Sequence, residues 1–147
     1  MDAKTYLRQL ARMDKRIDAL VERQERYREL AARRTTVYRD MPGGGRRCAS
    51  SCEEYVCKIV DLGREIDRQI DEYVDLTREI EALIECLRDS RHRDLLTWRY
   101  INCWDWDKIA DALRHTSVKA VWNLHSVALF EFTNVLQHYG TSAKFGG

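Results

Sequence analysis

Proline is nearly absent from this sequence: Pro42 is the one example in 147 residues, and only seven glycines accompany it. Residues that end helices are scarce, while 33% of the chain is charged, the mix expected of long helices with solvated flanks. Long apolar runs are missing too. Nothing approaches eighteen consecutive apolar residues, so no membrane span and no membrane partner are expected. The opening MDAKTYLRQLARMDKR has no apolar stretch followed by a small-residue cleavage site, which argues against a secretory signal and for a cytoplasmic protein. Nor is there a P-loop, a GxSxG string or a paired metal motif, so the chain reads as no enzyme, with no cofactor. Five cysteines form no CxxC pair. Cys48 and Cys52 lack the short paired spacings of a zinc site, so no metal is expected and the thiols read as reduced and half-buried.

The charge is present but unevenly distributed. Residues 1–50 hold 13 basic and 7 acidic side chains, residues 51–90 hold 5 and 12, and the remainder 7 and 5. A basic segment followed by an acidic one of similar length invites mutual pairing first and an external polyanion second.

Two heptad seams organise the first 89 residues. Tyr6, Leu10, Met13, Ile17, Leu20, Gln24, Tyr27 and Ala31 recur at steps of four and three. After TTVYRDMPGGGRRCAS, which reads as a Gly-rich loop over 35–50 with Ser50 or Ser51 as the following N-cap, a second seam begins. It runs Cys52, Tyr55, Ile59, Leu62, Ile66, Gln69, Tyr73, Leu76, Ile80, Leu83, Leu87, with Val56, Ile70 and Ile84 widening it on one side. The expected fold class is all-α: helices over about 2–38 and 51–88 fold back as an antiparallel coiled-coil hairpin, domain 1–89. Gln24 and Gln69 interrupt the seams and are read as setting register.

From residue 90 the heptad stops. Asp89 or Ser90 can cap a helix reaching about Cys103, Asp105 one to about Leu113, and Ser117 one to about His138. The string WDKIADAL, a break at RHT, then SVKAVWNLHSVAL has a helix-turn-helix layout, with Ala110 small at the crossing. Ile109 and Leu113 face Val121 and Leu124. Residues 90–139 would form this module and 140–147 a frayed tail.

The run LLTWRYINCWDWDKIADAL, the VxxLHxxAL string at Val121 to Leu129, and the segment KIVDLGREIDRQIDEYVDL resemble the phage-encoded sigma-like regulators of late transcription of the RinA/ArpU type. The resemblance covers most of the chain. It implies a C-terminal part similar to region four of bacterial sigma factors, binding of double-stranded promoter DNA and RNA polymerase, and action in the bacterial host cell, with a homodimer as a further option. The chain departs from the family by one additional turn residue within Arg114-His115-Thr116, and by a recognition helix poor in basic side chains. The residues expected at DNA are Arg114, Ser117, Val118, Lys119, Trp122, Asn123 and Ser126, with Arg91, Arg93, Arg99 and Lys108 as additional phosphate contacts. Arg46 and Arg47 could meet phosphate or polymerase, or be a solvated loop. The helix also carries Val127, Leu129, Phe130 and Phe132, and a helix apolar all round is usually buried. Trp104 and Trp106 could stack on a base or sit in a core; His125 reads as packing between helices. A polymerase-binding adaptor and a small DNA-packaging subunit are the competing readings.

Overall fold

Heptad spacing becomes helix along both long segments, and no strand is present among the described residues. The computed structural model describes residues 2–39, 45–114 and 117–145; the side chains of 35–39, 45–51 and 140–145 lie outside that description. Helix α1 spans Ala3–Arg39 and α2 spans Gly45–Glu85. Helix therefore occupies most of the expected 35–50 loop, and Ser50 and Ser51 lie inside α2 rather than capping it. The physical reason is that TTVYR and RRCAS contain no helix breaker; only Pro42 and the glycines do, and residues 40–44 lie outside the described residues. Of Arg46, Arg47 and Cys48 only the helical backbone is described.

The chain divides into two compact units, one of residues 1–12 and 74–147, the other of residues 13–73. In the second unit, the Gln24 side chain donates to the Ile59 carbonyl at 2.9 Å, and a Cβ on Gly63 would lie 3.3 Å from Gln24 Nε2. Three residues further along α1, Tyr27 meets Tyr55, rings 6.0 Å apart, so contacts on α2 move back as α1 advances. Gln69 is buried and donates to Glu65 at 3.1 Å. Both seam glutamines thus have an acceptor, and a buried amide without one would be costly.

Two expectations for this unit are corrected. Val56 and Ile70 do not widen a buried seam: they are 54% and 41% exposed, since one partner helix covers only one stripe. Among the described residues no ion pair within 4.0 Å crosses between α1 and α2, although Arg16 of α1 adds a longer-range attraction to the Arg68 hydrogen bond that chiefly holds the Glu65 carboxyl low. The ion pairs described here lie within one helix at i,i+3 or i,i+4, as in Arg26–Glu29, Lys58–Glu54 and Arg68 with Glu65 and Glu72. A neighbour one turn away needs little ordering of long side chains, so it wins over a partner on another helix.

The first unit holds most of the buried core. Leu7 and Leu10 from α1 and Ile80, Leu83, Ile84 and Leu87 from the end of α2 are all buried. They are joined by Leu95, Leu96, Ile109, Val121, Ala128 and Phe132 from the C-terminal helices. Tyr6 ties three segments together: its hydroxyl donates to Glu79 at 2.6 Å, and its ring lies 6.1 Å from that of Phe132. Leu7 is fully buried although the seam as read passes through Tyr6 and Leu10, because α1 meets more than one helix there.

Locally encoded caps place the C-terminal helices. Helix α3, Ser90–Leu96, begins at Asp89, whose carboxylate accepts from Arg91 N–H. Helix α4, Trp106–Ala112, begins at Asp105, which accepts from Lys108 N–H at 2.8 Å. Helix α5, Val118–Phe145, begins after Ser117, whose hydroxyl accepts from Ala120 N–H at 3.2 Å. Each is an N-cap satisfying a donor the helix cannot. Helix α3 does not continue to Cys103. It passes into a π-helical turn, Thr97–Ile101, in which Asn102 N–H reaches back five residues to Thr97 at 2.9 Å. Cys103 then takes a left-handed φ of 59°. Helix α5 runs past His138, since a single Gly140 costs about 1 kcal/mol in a helix and does not by itself end one.

The turn after α4 contains a second strained residue. Leu113 closes α4 and Arg114 takes a φ of 63°, its N–H bonded to Asp111 O at 3.2 Å. Glycine is the usual occupant of such a position after a helix. Arg114→Gly is therefore expected to raise stability by about 1 kcal/mol, the left-handed penalty of a residue with Cβ. Urea unfolding checks it; a loss of stability on that substitution would mean the arginine side chain, not its backbone, matters there.

Candidate functional site

The residues expected at DNA do not share one environment. Val121, His125, Ala128 and Phe132 form the buried stripe of α5, at a spacing that keeps them on one side of a helix. Lys119 and Asn123 are exposed on the far side, and Ser117 and Arg114 are exposed at its entry. Val118 is half-buried. Asn123 borders a shallow groove of about 400 Å³ with Arg91, Leu113, Ala120, Leu124 and Val127. Trp122 and Ser126 instead line a different and larger cavity of about 550 Å³. Ser126 donates its hydroxyl to Trp122 O at 3.2 Å. Contrary to the expectation of an all-round buried helix, α5 leaves Trp122 52%, Val127 55% and Phe130 71% exposed.

Lys4 and Arg8 of α1 and Arg99 of the π turn bring three cations to the larger cavity. None of the three has a carboxylate within salt-bridge distance among the described residues. Arg99 is held in place: it donates to Trp104 O at 2.9 Å and its guanidinium stands 4.3 Å over the Trp106 ring. The π turn sets this up, as one additional residue in the turn brings Arg99 and Tyr100 together at the cavity wall. Tyr100 Oη lies 2.7 Å from His125 Nε2, and the Trp106 ring stands edge-on to the imidazole at 4.9 Å. His125 thus packs between helices. Burial first, and then the cations of Lys4, Arg99 and Arg8, pull its pKa down to about 4. It is neutral at pH 7, leaving the fixed charges to set the local potential. Burial raises the Tyr100 hydroxyl, while Arg8 and Arg99 pull it the other way.

The two other tryptophans are taken up structurally. Trp98 and Trp104 stack at 5.2 Å and 10°, and Lys108 lies 4.2 Å over Trp104. Lys108 and Arg99 each lie over an indole, which fixes where their charges stand. Arg93 donates to Leu87 O at 2.6 Å. Arg91 is exposed beside the Asn123 groove, although its guanidinium is paired with Asp89 at 3.2 Å.

Sequence reasoning missed two arrangements. One is the pairing of Lys4 and Arg8 with Arg99, separated by some ninety residues of chain and carrying no local signal. The other is His92 with its two carboxylate neighbours. Its Nδ1 lies 2.5 Å from Glu131 and its Nε2 3.7 Å from Asp89. Glu131 also accepts from Arg88 N–H at 2.7 Å. Partial burial raises the Glu131 pKa, but these hydrogen bonds outweigh it and the net shift is downward. The clasp ties the end of α2 to α3 and α5. Among the described residues no cluster of three or more His, Cys, Asp or Glu could hold a metal ion, and no helix is long and apolar enough to cross a membrane. Cys57, Cys86 and Cys103 are exposed thiols rather than half-buried ones. No family model, curated protein or solved structure matches the chain.

Proposed function

We propose that the chain is a sigma-like transcription regulator of phage or prophage type, acting in the bacterial cytoplasm. On this reading it binds double-stranded promoter DNA through α4 and α5, with RNA polymerase as a second partner. The helices α1 and α2 serve as an antiparallel coiled-coil support, and α4–turn–α5 as the helix-turn-helix. One observation carries the reading: Lys119 and Asn123 stand exposed on a capped helix whose opposite side is buried by Val121, His125 and Ala128. An asparagine so placed can read a base edge, and a lysine can neutralise a phosphate. The basic surplus of the first fifty residues supports the same partner, since phosphate affinity comes from Lys and Arg.

The two roles separate by mutation. Lys119→Ala is expected to weaken binding to every duplex and lower the salt slope by about one unit. Asn123→Ala is expected to relax preference at one base pair, at a cost of about 1–3 kcal/mol on the preferred site alone. Duplex binding titrated at several salt concentrations checks both; no change in either variant removes α5 from the DNA.

A second reading is favoured by the exposed Trp122, Val127 and Phe130 of α5. Large apolar groups grouped on a surface mark protein contacts more often than DNA contacts. In that reading the chain is an adaptor that grips polymerase without reading sequence, and polymerase capture persists when duplex binding is absent.

A further inference from the structure

We propose that the cavity between the start of α1, the π turn and α5 is a binding site for a nucleoside phosphate, its phosphate held by Lys4, Arg8 and Arg99 and its base laid on Trp122. A free nucleotide and one unpaired nucleotide of a strand present the same chemistry to this site. This site is separate from the duplex-reading side of α5 around Lys119 and Asn123.

Four observations lead here. The cavity encloses about 550 Å³, within the usual range of small-ligand sites. Its three cations make no ion pair within 4.0 Å among the described residues, and only Lys4 feels a nearby carboxylate, that of Asp2, so most of their charge is left at the cavity. A phosphate would neutralise them, and Arg99 is already fixed by Trp104 O and the Trp106 ring, which reduces the ordering cost of binding. Finally, Trp122 stands 52% exposed at the same cavity with no aromatic partner among the described ring contacts. An indole with a free face beside a cationic pocket is a platform for a base.

The backbone at this cavity points the same way. Arg99 and Tyr100 come from a π-helical turn, and Cys103 at the cavity holds a left-handed φ of 59°. Such irregularities are costly and concentrate where a side chain must be aimed at a ligand. The neutral imidazole of His125 and the Tyr100 hydroxyl form the floor, and neither opposes an anion.

Titration of the full chain with adenosine 5′-monophosphate tests the site, read by tryptophan emission and by calorimetry. Saturable binding with quenching is expected. The double variant Lys4→Glu, Arg8→Glu, at two exposed positions, should lower affinity by at least about ten-fold with the helical circular dichroism unchanged. Trp122→Phe should keep calorimetric binding while removing most of the quenching. Inorganic phosphate should bind at least about ten-fold more weakly than the nucleotide, stacking being worth about 1–3 kcal/mol per base. A single-stranded oligo-dA binding far more tightly than the mononucleotide identifies a strand as the source; equal affinity identifies the free nucleotide. Asn123→Ala should leave nucleotide binding unchanged. No saturable binding of either probe, or affinity unaffected by the charge reversals, overturns the proposal.

Discussion

Phe132→Ala is expected to destabilise the first unit by about 3–5 kcal/mol, the usual cost of emptying an enclosed aromatic site. Phe132 is the largest fully buried side chain among the described residues, and its ring lies 6.1 Å from that of Tyr6. Removing it leaves a void bordered by α1 as well as α5, so the packing of the first residues of α1 should loosen too. All four tryptophans, Trp98, Trp104, Trp106 and Trp122, belong to the first unit, so tryptophan emission during urea unfolding reports that unit directly. A comparison substitution, Val56→Ala, removes a side chain that is 54% exposed and should change stability by less than about 0.5 kcal/mol. A loss below about 1 kcal/mol on Phe132→Ala would contradict its enclosure.

Acid should act on the same unit in two stages. His125 ionises in the folded chain only at about 4, against an ordinary 6.5, because burial and then Lys4, Arg99 and Arg8 oppose its charge. Its folded pKa is depressed, so between those values the unfolded chain binds more protons than the folded one. Stability is full above pH 6.5 and declines as pH falls toward 4, by about 3 kcal/mol at most. Glu131 and Asp89 are depressed carboxylates: their contribution is present above their ordinary range and is lost only at lower pH. Unfolding free energy measured by tryptophan emission at pH 7.5, 5.5 and 4.5 should therefore fall steadily. His125→Gln should flatten that fall while leaving the loss below pH 4. A wild-type stability constant from pH 7.5 to 4.5 would show that His125 is solvated.

What could be read from the sequence was what is local. The caps Asp89, Asp105 and Ser117 each lie within three residues of the N–H they accept, so side-chain type and position sufficed. The two heptad seams gave helices because a period of three and four residues fits no other element. Loop 35–50 was overdrawn since glycine and proline raise the cost of helix without stating how far that cost extends. The π turn left no signature, as one inserted residue in TWRYI changes no composition. The cavity was least legible. Lys4 and Arg8 look like the solvated flank of a heptad, and only the packing of α1 beside α5 in the first unit sets them opposite Trp122. The exposure of Val127 and Phe130 was also missed, because an apolar count on a helix does not say whether a neighbour covers it.

Selection from a pool of random duplexes is the most direct test of the central claim, that α5 reads double-stranded DNA. The full chain is expected to enrich a defined motif, and Asn123→Ala to lose preference at one position of it while Lys119→Ala weakens all positions alike. Retention of duplexes with no sequence enriched, or an identical motif from all three proteins, would contradict that claim.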